Sequence, residues 1–230
     1  MFIVCWSAKG GSGTTVVAAA LGLLLARADG HRPTTIVDLG GDVPAALGLA
    51  PPPGPGVVEW LAAPGAPDDA LLGLAAPAAD GLQVVHRGAG SDTQRLPDRW
   101  PSGPEWDRVT QACVSGAGAG HVILDAGRDV PQAVVHDAAD LSVLVTRACY
   151  LSLRRSSACS SYASDVVLIT EPGRALGARD VEHALGIPVI AEIPWDPAVA
   201  RAVDSGLLRA RLPPAMARPL RRLTIREVVR

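Results

Sequence analysis

A glycine-rich segment at residues 7–15, with the sequence SAKGGSGTT, constrains the fold more than any other feature. The apolar residues 2–6 before it indicate a buried strand, and the apolar run 16–26 behind it indicates a buried helix. A loop that binds phosphate needs glycines, so that its backbone N–H groups can surround the anion. It also needs a helix N-terminus behind it, which adds positive potential. Its glycines are Gly10, Gly11 and Gly13. Thr15 lies where such loops place a hydroxyl for Mg²⁺, so we interpret the segment as a phosphate loop rather than a plain glycine turn.

Short apolar runs alternate with helical stretches along the rest of the chain. The predicted strands cover 2–6, 35–37, 82–86, 121–124, 141–146, 166–170 and 189–193. The predicted helices cover 13–28, 105–115, 150–162, 178–185 and 197–205. Near-continuous Val, Ile and Leu runs are typical of strands covered on both faces. The pattern therefore predicts an α/β fold, a doubly wound and mostly parallel sheet with helices on both faces, in one domain over 1–230.

Two stretches carry a weaker pattern. The Ala, Pro and Gly-rich stretch at about 50–80 holds no predicted strand, and we interpret it as an elaborated connection rather than a domain boundary. Within it, 57–61 and 70–74 are predicted to form short helical turns packed on the body. Residues 88–104 are predicted to form a surface loop.

Composition excludes several classes of protein. The longest apolar run is too short for a membrane span, and no basic region precedes the first apolar residues, so we expect a cytoplasmic protein without a signal peptide. The 4 cysteines have no metal-ligand spacing, which argues against zinc and iron–sulfur sites. Of 21 basic residues the only lysine is Lys9, inside the phosphate loop. A lone lysine among arginines indicates a place where a compact ammonium group matters.

The sequence KGGSGTT resembles the deviant Walker A motif, xKGGxGK[ST], of the MinD/ParA family of P-loop ATPases. The resemblance implies that ATP or ADP binds with Mg²⁺ to Gly10, Gly11, Ser12, Gly13, Thr14 and Thr15. It implies that Lys9 is the signature lysine, which in that family reaches the ATP of the partner subunit in a nucleotide-sandwich homodimer. Thr14 stands where the family has a second lysine on the β- and γ-phosphates. Because charge stabilisation supplies most of the catalysis in phosphoryl transfer, this departure predicts weak or absent hydrolysis.

Two further segments resemble the switch regions of that family. In 36–49, IVDLGGDVPAALGL, Asp38 matches the first acid of the first switch, and Gly40 replaces the second, for which Asp42 is a substitute. The alternative is an Asp/Gly turn that ends a strand. In 121–131, HVILDAGRDVP, Asp125 matches the Walker B acid that holds Mg²⁺ through water. The predicted metal residues are Thr15, Asp38 and Asp125. The predicted catalytic residues are Lys9, Asp38, Asp42 and Asp125.

The late segment 185–208 resembles the family segment in which a strand ends in Ile-Pro-x-Asp beside the nucleotide base. Pro194 and Asp196 are therefore candidate base-binding residues, with 166–174 as the neighbouring strand and loop. Both stretches also fit plain turns. The degenerate catalytic positions and this ending look closest to the CpaE/TadZ-type localisation proteins of that family.

The C-terminal stretch 217–230 carries 5 arginines against one acid: Arg218, Arg221, Arg222, Arg226 and Arg230. A solvated terminal helix, a nonspecific DNA contact and a peripheral membrane contact are the alternatives. The apolar residues do not form a broad stripe and no Trp or Phe anchors an interface, which favours the solvated helix.

Three functions remain open at this point. The first is a nucleotide-dependent homodimer that hydrolyses poorly and acts as a positional switch or scaffold for a pilus, secretion, septum or chromosome machine, in the cytoplasm or at a membrane or pole. It would need a protein partner that the sequence does not name. The second is an active partitioning ATPase stimulated by DNA, membrane or a partner protein. The third is an interaction module that has lost nucleotide binding.

Overall fold

The structure is a computed structural model that describes residues 1–28, 30–88 and 103–228, the last five of these by backbone only. Its strands are β1 (Phe2–Trp6), β2 (Thr34–Asp38), β3 (Ala76–Ala79), β4 (Leu82–Val85), β5 (His121–Gly127), β6 (Leu141–Arg147), β7 (Asp165–Thr170) and β8 (Val189–Pro194). Its longer helices are α1 (Thr14–Ala28), α5 (Gly103–Ala117), α7 (Tyr150–Ser157), α8 (Ala178–Leu185), α9 (Pro197–Asp204) and α10 (Pro214–Val228). Its short helices are α2 (Val43–Ala46), α3 (Val57–Leu61), α4 (Ala70–Gly73) and α6 (Ala133–Ala138).

The strands form one sheet in the order β3-β4-β2-β5-β1-β6-β7-β8. Every neighbouring pair is parallel except β3 and β4. All five residues of β1 are at most 2% exposed because alternate side chains enter two separate apolar cores. Ile3 and Cys5 pack on the side of α1 and α10, whereas Phe2, Val4 and Trp6 pack on the side of α5 and α8. The predicted doubly wound sheet, with all seven predicted strands, is confirmed.

The connection at about 50–80 contains a strand that the sequence did not predict. Strand β3 pairs antiparallel with β4 at the sheet edge. Its sequence, APAA, lacks the branched residues that mark strands, and Pro77 is tolerated because an edge strand needs fewer ladder hydrogen bonds. The predicted helical turns are present as α3 and α4.

Smaller differences concern helix ends. Helices α2 and α6 were not predicted, α5 begins at Gly103, and α7 ends at Ser157 before a separate 3₁₀ turn, Ser160–Tyr162. The predicted surface loop at 88–104 lies almost wholly outside the described residues.

Helix α10 is not the solvated terminal helix that the sequence favoured. Four of its apolar side chains are at most 8% exposed and pack into the core beside α1 and β8: Met216, Ala217, Leu220 and Leu223. The helix begins at Pro214, three residues before the segment 217–230, so the contact of Met216 lies outside the stretch in which an apolar stripe was sought. Arg218, Arg221 and Arg222 lie on its exposed side, and the side chains of Arg226 and Arg230 lie outside the described residues.

A bilayer-spanning helix is not present among the described residues, because none combines the necessary length and apolar character.

Candidate functional site

The phosphate loop connects the end of β1 to the start of α1. The backbone N–H of Ser7 donates to Gly127 O at 2.9 Å, and Ser12 Oγ donates to Lys9 O at 2.7 Å, so both ends of the turn are held. Gly11 and Gly13 have positive φ angles of 76° and 92°, which disfavour any other residue. A Cβ atom added to either glycine would meet no atom within 4 Å, so the inside of the loop is open.

Helix α1 directs its N-terminus at this opening. Its first ordinary helical hydrogen bond runs from Val17 N to Gly13 O at 2.9 Å, so the preceding N–H groups of the first turn have no intrahelical acceptor. The first turn carries no acidic side chain that would compete with an anion. The 15-residue helix therefore presents free donors and the positive end of its dipole to the loop.

A cavity of about 630 Å³ lies in front of the loop and is called the phosphate cavity below. Its volume is in the range of small-molecule sites. Four segments line it: the phosphate loop with the start of α1, and the turns after β2, β4 and β5. Ligands of open α/β sheets bind outside the carboxyl ends of the strands, which is where these turns lie.

Two buried carboxyl groups lie beside Gly40, which lines this cavity. Asp38 and Asp125 are paired in register at the ends of β2 and β5, and both side chains are 0% exposed. Asp38 accepts from the backbone N–H groups of Gly41 at 2.7 Å and Val43 at 3.0 Å. Asp125 Oδ1 accepts from Gly127 N at 3.0 Å, whereas its Oδ2 has no hydrogen-bond partner among the described residues.

Gly40 marks the point where the three predicted metal residues meet. A Cβ atom added to Gly40 would lie 3.6 Å from Asp38 Oδ1 and 3.9 Å from both Asp125 Oδ2 and Thr15 Oγ1. These are hydroxyl and carboxylate oxygens, the ligand type that Mg²⁺ prefers. The described residues contain no cluster of three or more His, Cys, Asp or Glu side chains that could hold a metal without further ligands. The donor set therefore fits a Mg²⁺ ion that keeps several waters and phosphate oxygens.

Burial raises the pKa of both carboxyl groups. The pKa of Asp38 is raised to about 7 by burial and then by the nearby charge of Asp125. The pKa of Asp125 is raised to about 6 by burial, against the lowering effects of the Thr15 hydroxyl and the Gly127 amide. Two buried carboxyl groups with raised pKa values bind protons more tightly than ordinary aspartates do, and they can bind a divalent cation in place of the protons.

These raised pKa values predict how pH changes the stability of the metal-free protein. The folded state binds the two protons more tightly than the unfolded chain, whose aspartates have a pKa near 3.8. The stabilisation of the folded state by these two protons is therefore complete below about pH 4. It is lost as the pH rises toward 7, and the free energy of unfolding then falls by about 1.4 kcal/mol per pH unit for each carboxyl group. We expect Asp38→Asn to remove much of this slope in urea unfolding measured with a chelator between pH 4.5 and 8. Identical slopes in Asp38→Asn and the wild type would contradict the assignment.

Asp42 lies four residues after Asp38, in the turn before α2. Its side chain is exposed, lines the phosphate cavity and makes no capping hydrogen bond to α2, although it precedes that helix. Its charge contributes to the raised pKa values of both Asp38 and Asp125. The structure thus brings the proposed substitute acid close to the metal residues, with its carboxylate left open to the cavity.

Thr14 and Lys9 occupy different sides of the loop. Thr14 is 4% exposed and lines the phosphate cavity, whereas half-buried Lys9 is not among the residues that line it. Lys9 instead lies near the start of α7, where its charge helps to lower the pKa of the Cys149 thiol, after the larger effect of the Ser152 hydroxyl. Lys9 therefore lies outside the lining of the phosphate cavity and beside the start of α7.

Two arginines that the sequence analysis did not select also line the phosphate cavity: Arg87 and Arg128. Arg87 comes two residues after β4, and Arg128 follows β5 directly. Their positions after parallel strands were a usable signal, because such turns gather at one edge of the sheet. The large number of arginines in this chain concealed it.

A second, smaller cavity of about 210 Å³ lies on the other side of the phosphate loop. Pro194, Trp195 and Asp196 line it together with Ser12 and Gly13. The described part of its lining is mainly apolar, and the indole of Trp195 is 49% exposed. The predicted base-site residues are therefore adjacent to the phosphate loop.

Asp196 also has a structural task. Its Oδ1 accepts from Ala198 N at 2.8 Å and caps α9, and the N–H of Trp195 donates to Thr170 O at 2.7 Å. These bonds fix the turn after β8 beside the turn after β7. One carboxylate oxygen of Asp196 thus caps a helix, as the alternative of a plain turn would have it. Its neighbours Pro194 and Trp195 line the cavity.

No model of a known protein family matches this sequence, and no curated protein matches it. Solved structures do resemble it. The chain is similar to a chain of the MinC:MinD cell division protein complex of Aquifex aeolicus, with a TM-score of 0.73 and 17% identity over 100% of this chain and 96% of that one. It is similar to a ParA family ATPase from Chlorobium tepidum TLS, with a TM-score of 0.70 and 18% identity over 97% of each chain.

A third similar structure is the septum site-determining protein MinD complexed with Mg-ADP from Pyrococcus horikoshii OT3. The TM-score is 0.70 and the identity 16%, over 99% of this chain and 96% of that one. All three similarities extend over almost the whole of both chains. With its mostly parallel sheet and its phosphate loop after the first strand, the chain has the P-loop NTPase fold of the ParA and MinD ATPases.

Proposed function

We propose that this protein binds ATP or ADP with Mg²⁺, forms a nucleotide-dependent homodimer and acts as a positional switch or scaffold with weak hydrolysis. One observation carries the proposal. The open phosphate loop and the N-terminus of α1 face one cavity, and the buried pair of Asp38 and Asp125 lies directly beside Gly40, which lines that cavity. A phosphate chain with a bound divalent cation matches these groups, because the loop offers N–H donors and the acids offer oxygen ligands.

Each group has a separate part in this proposal. The N–H groups of the loop and α1 bind the phosphates, and the apolar cavity beside Trp195 receives the base. Thr15 and Asp125 hold Mg²⁺, which would neutralise phosphate charge when bound. Asp38 positions the first switch through its bonds to Gly41 and Val43. A bound nucleotide that shifts the position of Asp38 therefore also shifts the turn before α2.

Weak hydrolysis follows from what lines the cavity. Thr14 offers a hydroxyl where a lysine would stabilise the charge on the transferring group, and Gly40 offers no acid to position water. Loss of one such donor lowers rates by about a hundredfold to a thousandfold in other enzymes. Binding is less sensitive, because one charge-assisted hydrogen bond contributes about 1.5–3 kcal/mol. A switch that binds and releases nucleotide needs only the binding.

The second candidate function, an active partitioning ATPase, is favoured by one observation. Arg218 and Arg222 lie on the exposed side of α10, whose apolar side is docked on the core. A rigid basic surface of this kind can contact the phosphates of DNA or an anionic membrane. We rank it second because stimulation of turnover requires catalytic groups, which Thr14 and Gly40 do not supply.

Calorimetric titration with ATP, ADP and a nonhydrolysable ATP analogue tests nucleotide binding. We expect saturable binding at or below millimolar nucleotide that is stronger with Mg²⁺ than with a chelator. Asp125→Asn should lower the affinity for the magnesium–nucleotide complex by about tenfold or more, because it replaces the charged carboxylate that would hold Mg²⁺ by an uncharged amide. The matched control is Asp140→Asn, because Asp140 also accepts a backbone N–H, that of Phe2 at 2.7 Å, but at the other end of the sheet. Absence of any binding by the wild type would remove the proposal.

A further inference from the structure

The positively charged side chains of the phosphate cavity do not come from the phosphate loop. Lys9 lies outside the lining and Thr14 is uncharged. Among the described lining residues, the cations are Arg87 and Arg128, and the acids are Asp42 and Asp129. A polyphosphate that enters this cavity therefore meets two guanidinium groups in addition to the N–H donors of the loop.

Arg87 is held in place by the first switch. Its Nη1 donates to Leu39 O at 2.7 Å and to Gly40 O at 3.3 Å. Its Cδ lies 3.2 Å from the point that a Cβ on Gly41 would occupy, and Gly41 has a φ of 92°. Any side chain at position 41 would be strained and would crowd the arginine. Because the consecutive residues Gly40 and Gly41 have no side chains, Arg87 can lie across the first switch.

The backbone of Arg87 is fixed as well. Its carbonyl oxygen accepts from Val58 N at 2.9 Å, at the start of α3, and the preceding residue, His86, accepts from Val57 N at 3.0 Å. Strand β4, which ends two residues earlier, pairs in register with β2. The position of the Arg87 side chain is therefore set by the sheet and by α3 before any ligand binds.

Arg128 lines the same cavity from the turn after β5. It follows Gly127, whose N–H bonds to Asp125, and its side chain is exposed. The charges of Arg128 and Arg87 both act on Asp129 and oppose the rise in its pKa that burial causes. Arg87, Arg128 and Asp129 all line the phosphate cavity, so the two arginines lie at a common space.

We propose that Arg87 and Arg128 together replace the missing phosphate-loop lysine and hold the phosphates of a nucleoside di- or triphosphate against the loop. This inference rests on the proposed nucleotide binding and goes beyond it, because it identifies where the positive charge of the site comes from. Arginine suits the task, since its planar fork binds phosphate oxygens in pairs and keeps its charge at any physiological pH. Through the carbonyl groups of Leu39 and Gly40, Arg87 also links phosphate binding to the first switch.

Equilibrium binding of a fluorescent ATP analogue with Mg²⁺ tests this inference. We expect Arg87→Gln and Arg128→Gln each to weaken binding by roughly tenfold or more, because each removes a charge-assisted contact. Thr14→Lys, introduced into the double variant Arg87→Gln/Arg128→Gln, should restore most of the affinity. A merely structural role for the arginines would not be rescued by a lysine at position 14.

Matched controls exist for both arginines. Arg108 also donates to backbone carbonyl groups, those of Leu61, Ala63 and Ala66, but far from the cavity, so Arg108→Gln matches Arg87→Gln. Exposed Arg179 on α8 matches Arg128. We expect both controls to bind as the wild type does. Thermal unfolding of each variant checks its fold, and if Arg87→Gln does not fold, Arg128→Gln and Arg87→Lys carry the test.

The outcomes separate the two proposals. If the wild type binds and the folded arginine variants bind equally well, the arginines do not hold phosphate and this inference is overturned. If the wild type itself does not bind magnesium nucleotide, nucleotide binding fails and the inference fails with it. Weaker binding in the arginine variants with rescue by Thr14→Lys supports both.

Discussion

We expect the double variant Thr14→Lys/Gly40→Asp to hydrolyse ATP at least a hundredfold faster than the wild type, for which we propose only slow turnover. The lysine places a cation on the transferring phosphoryl group, and the aspartate adds an acid that can position the attacking water. Each contribution acts mainly in the transition state, where one lost donor typically changes the rate by about 10²–10³. We expect each single variant to give only part of the gain, because the two groups act on different atoms.

The structure has room for both changes. Thr14 lines a cavity of about 630 Å³, so a longer side chain at position 14 can extend into open space. A Cβ on Gly40 meets its nearest neighbours at 3.6 Å and 3.9 Å, which are ordinary contact distances. The new carboxylate joins Asp38 and Asp125, whose pKa values are already raised, so it should lower the stability of the metal-free protein. The assay therefore needs saturating Mg²⁺.

Phosphate release, measured for the wild type, both single variants and the double variant, checks the prediction. Double-stranded DNA and anionic vesicles are added in parallel reactions. A double variant that binds ATP but turns over no faster than the wild type would contradict our account of Thr14 and Gly40. Strong stimulation of the wild type by DNA or vesicles would favour the partitioning ATPase.

Local sequence patterns were sufficient for most of the fold. The run Phe2–Trp6 is buried on both faces and reads as a strand without further context. The glycines of the phosphate loop then determine where α1 begins, and strands that alternate with helices lead to a parallel sheet. Asp38 and Asp125 were also accessible, because each ends such a strand. The positions of the predicted metal residues around Gly40 follow from the same logic.

What the sequence could not supply depends on contacts between distant segments. Strand β3 exists because β4 offers it an edge, and its Ala and Pro residues carry no strand preference. Helix α10 is docked because Met216 and Leu220 meet a core built by α1. Arg87 reaches the cavity only because β4 lies beside β2, 48 residues from its hydrogen-bond acceptor Leu39. The pairing of β3 and the docking of α10 have no local signal, whereas the place of Arg87 after a predicted strand was a usable but weak one.

We expect Lys9→Ala to abolish the proposed nucleotide-dependent dimer and to leave nucleotide binding by the monomer nearly unchanged. The expectation rests on where the ammonium group lies: beside the start of α7, outside the lining of its own phosphate cavity. If Lys9 acts on the nucleotide of the partner, its loss leaves a buried phosphate charge without a cation in the interface. Truncation of one partner of such a pair typically costs about 2–5 kcal/mol, which weakens association by roughly thirtyfold or more.

The surface around Lys9 fits contact with a second copy of the chain. Tyr150 and Leu151, at the start of α7, are 70% and 57% exposed although both are large and largely apolar. Burial of such side chains would contribute to the dimer, and Lys9 would then give it its dependence on nucleotide. We expect Tyr150→Ser to weaken the dimer without removing that dependence, which distinguishes a packing contact from a charge that needs the phosphate.

Light scattering coupled to size exclusion measures the mass of the 23.7 kDa chain with no nucleotide, with Mg-ADP and with a nonhydrolysable ATP analogue. The wild type should double its mass only with the ATP analogue, and Lys9→Arg is the control that keeps the charge but changes its shape. A Lys9→Ala variant that dimerises as the wild type does contradicts the intersubunit role. One that loses nucleotide affinity as a monomer places Lys9 in its own site. In that case the missing charge at Thr14 would be compensated from within the loop, and the two arginines would not be needed.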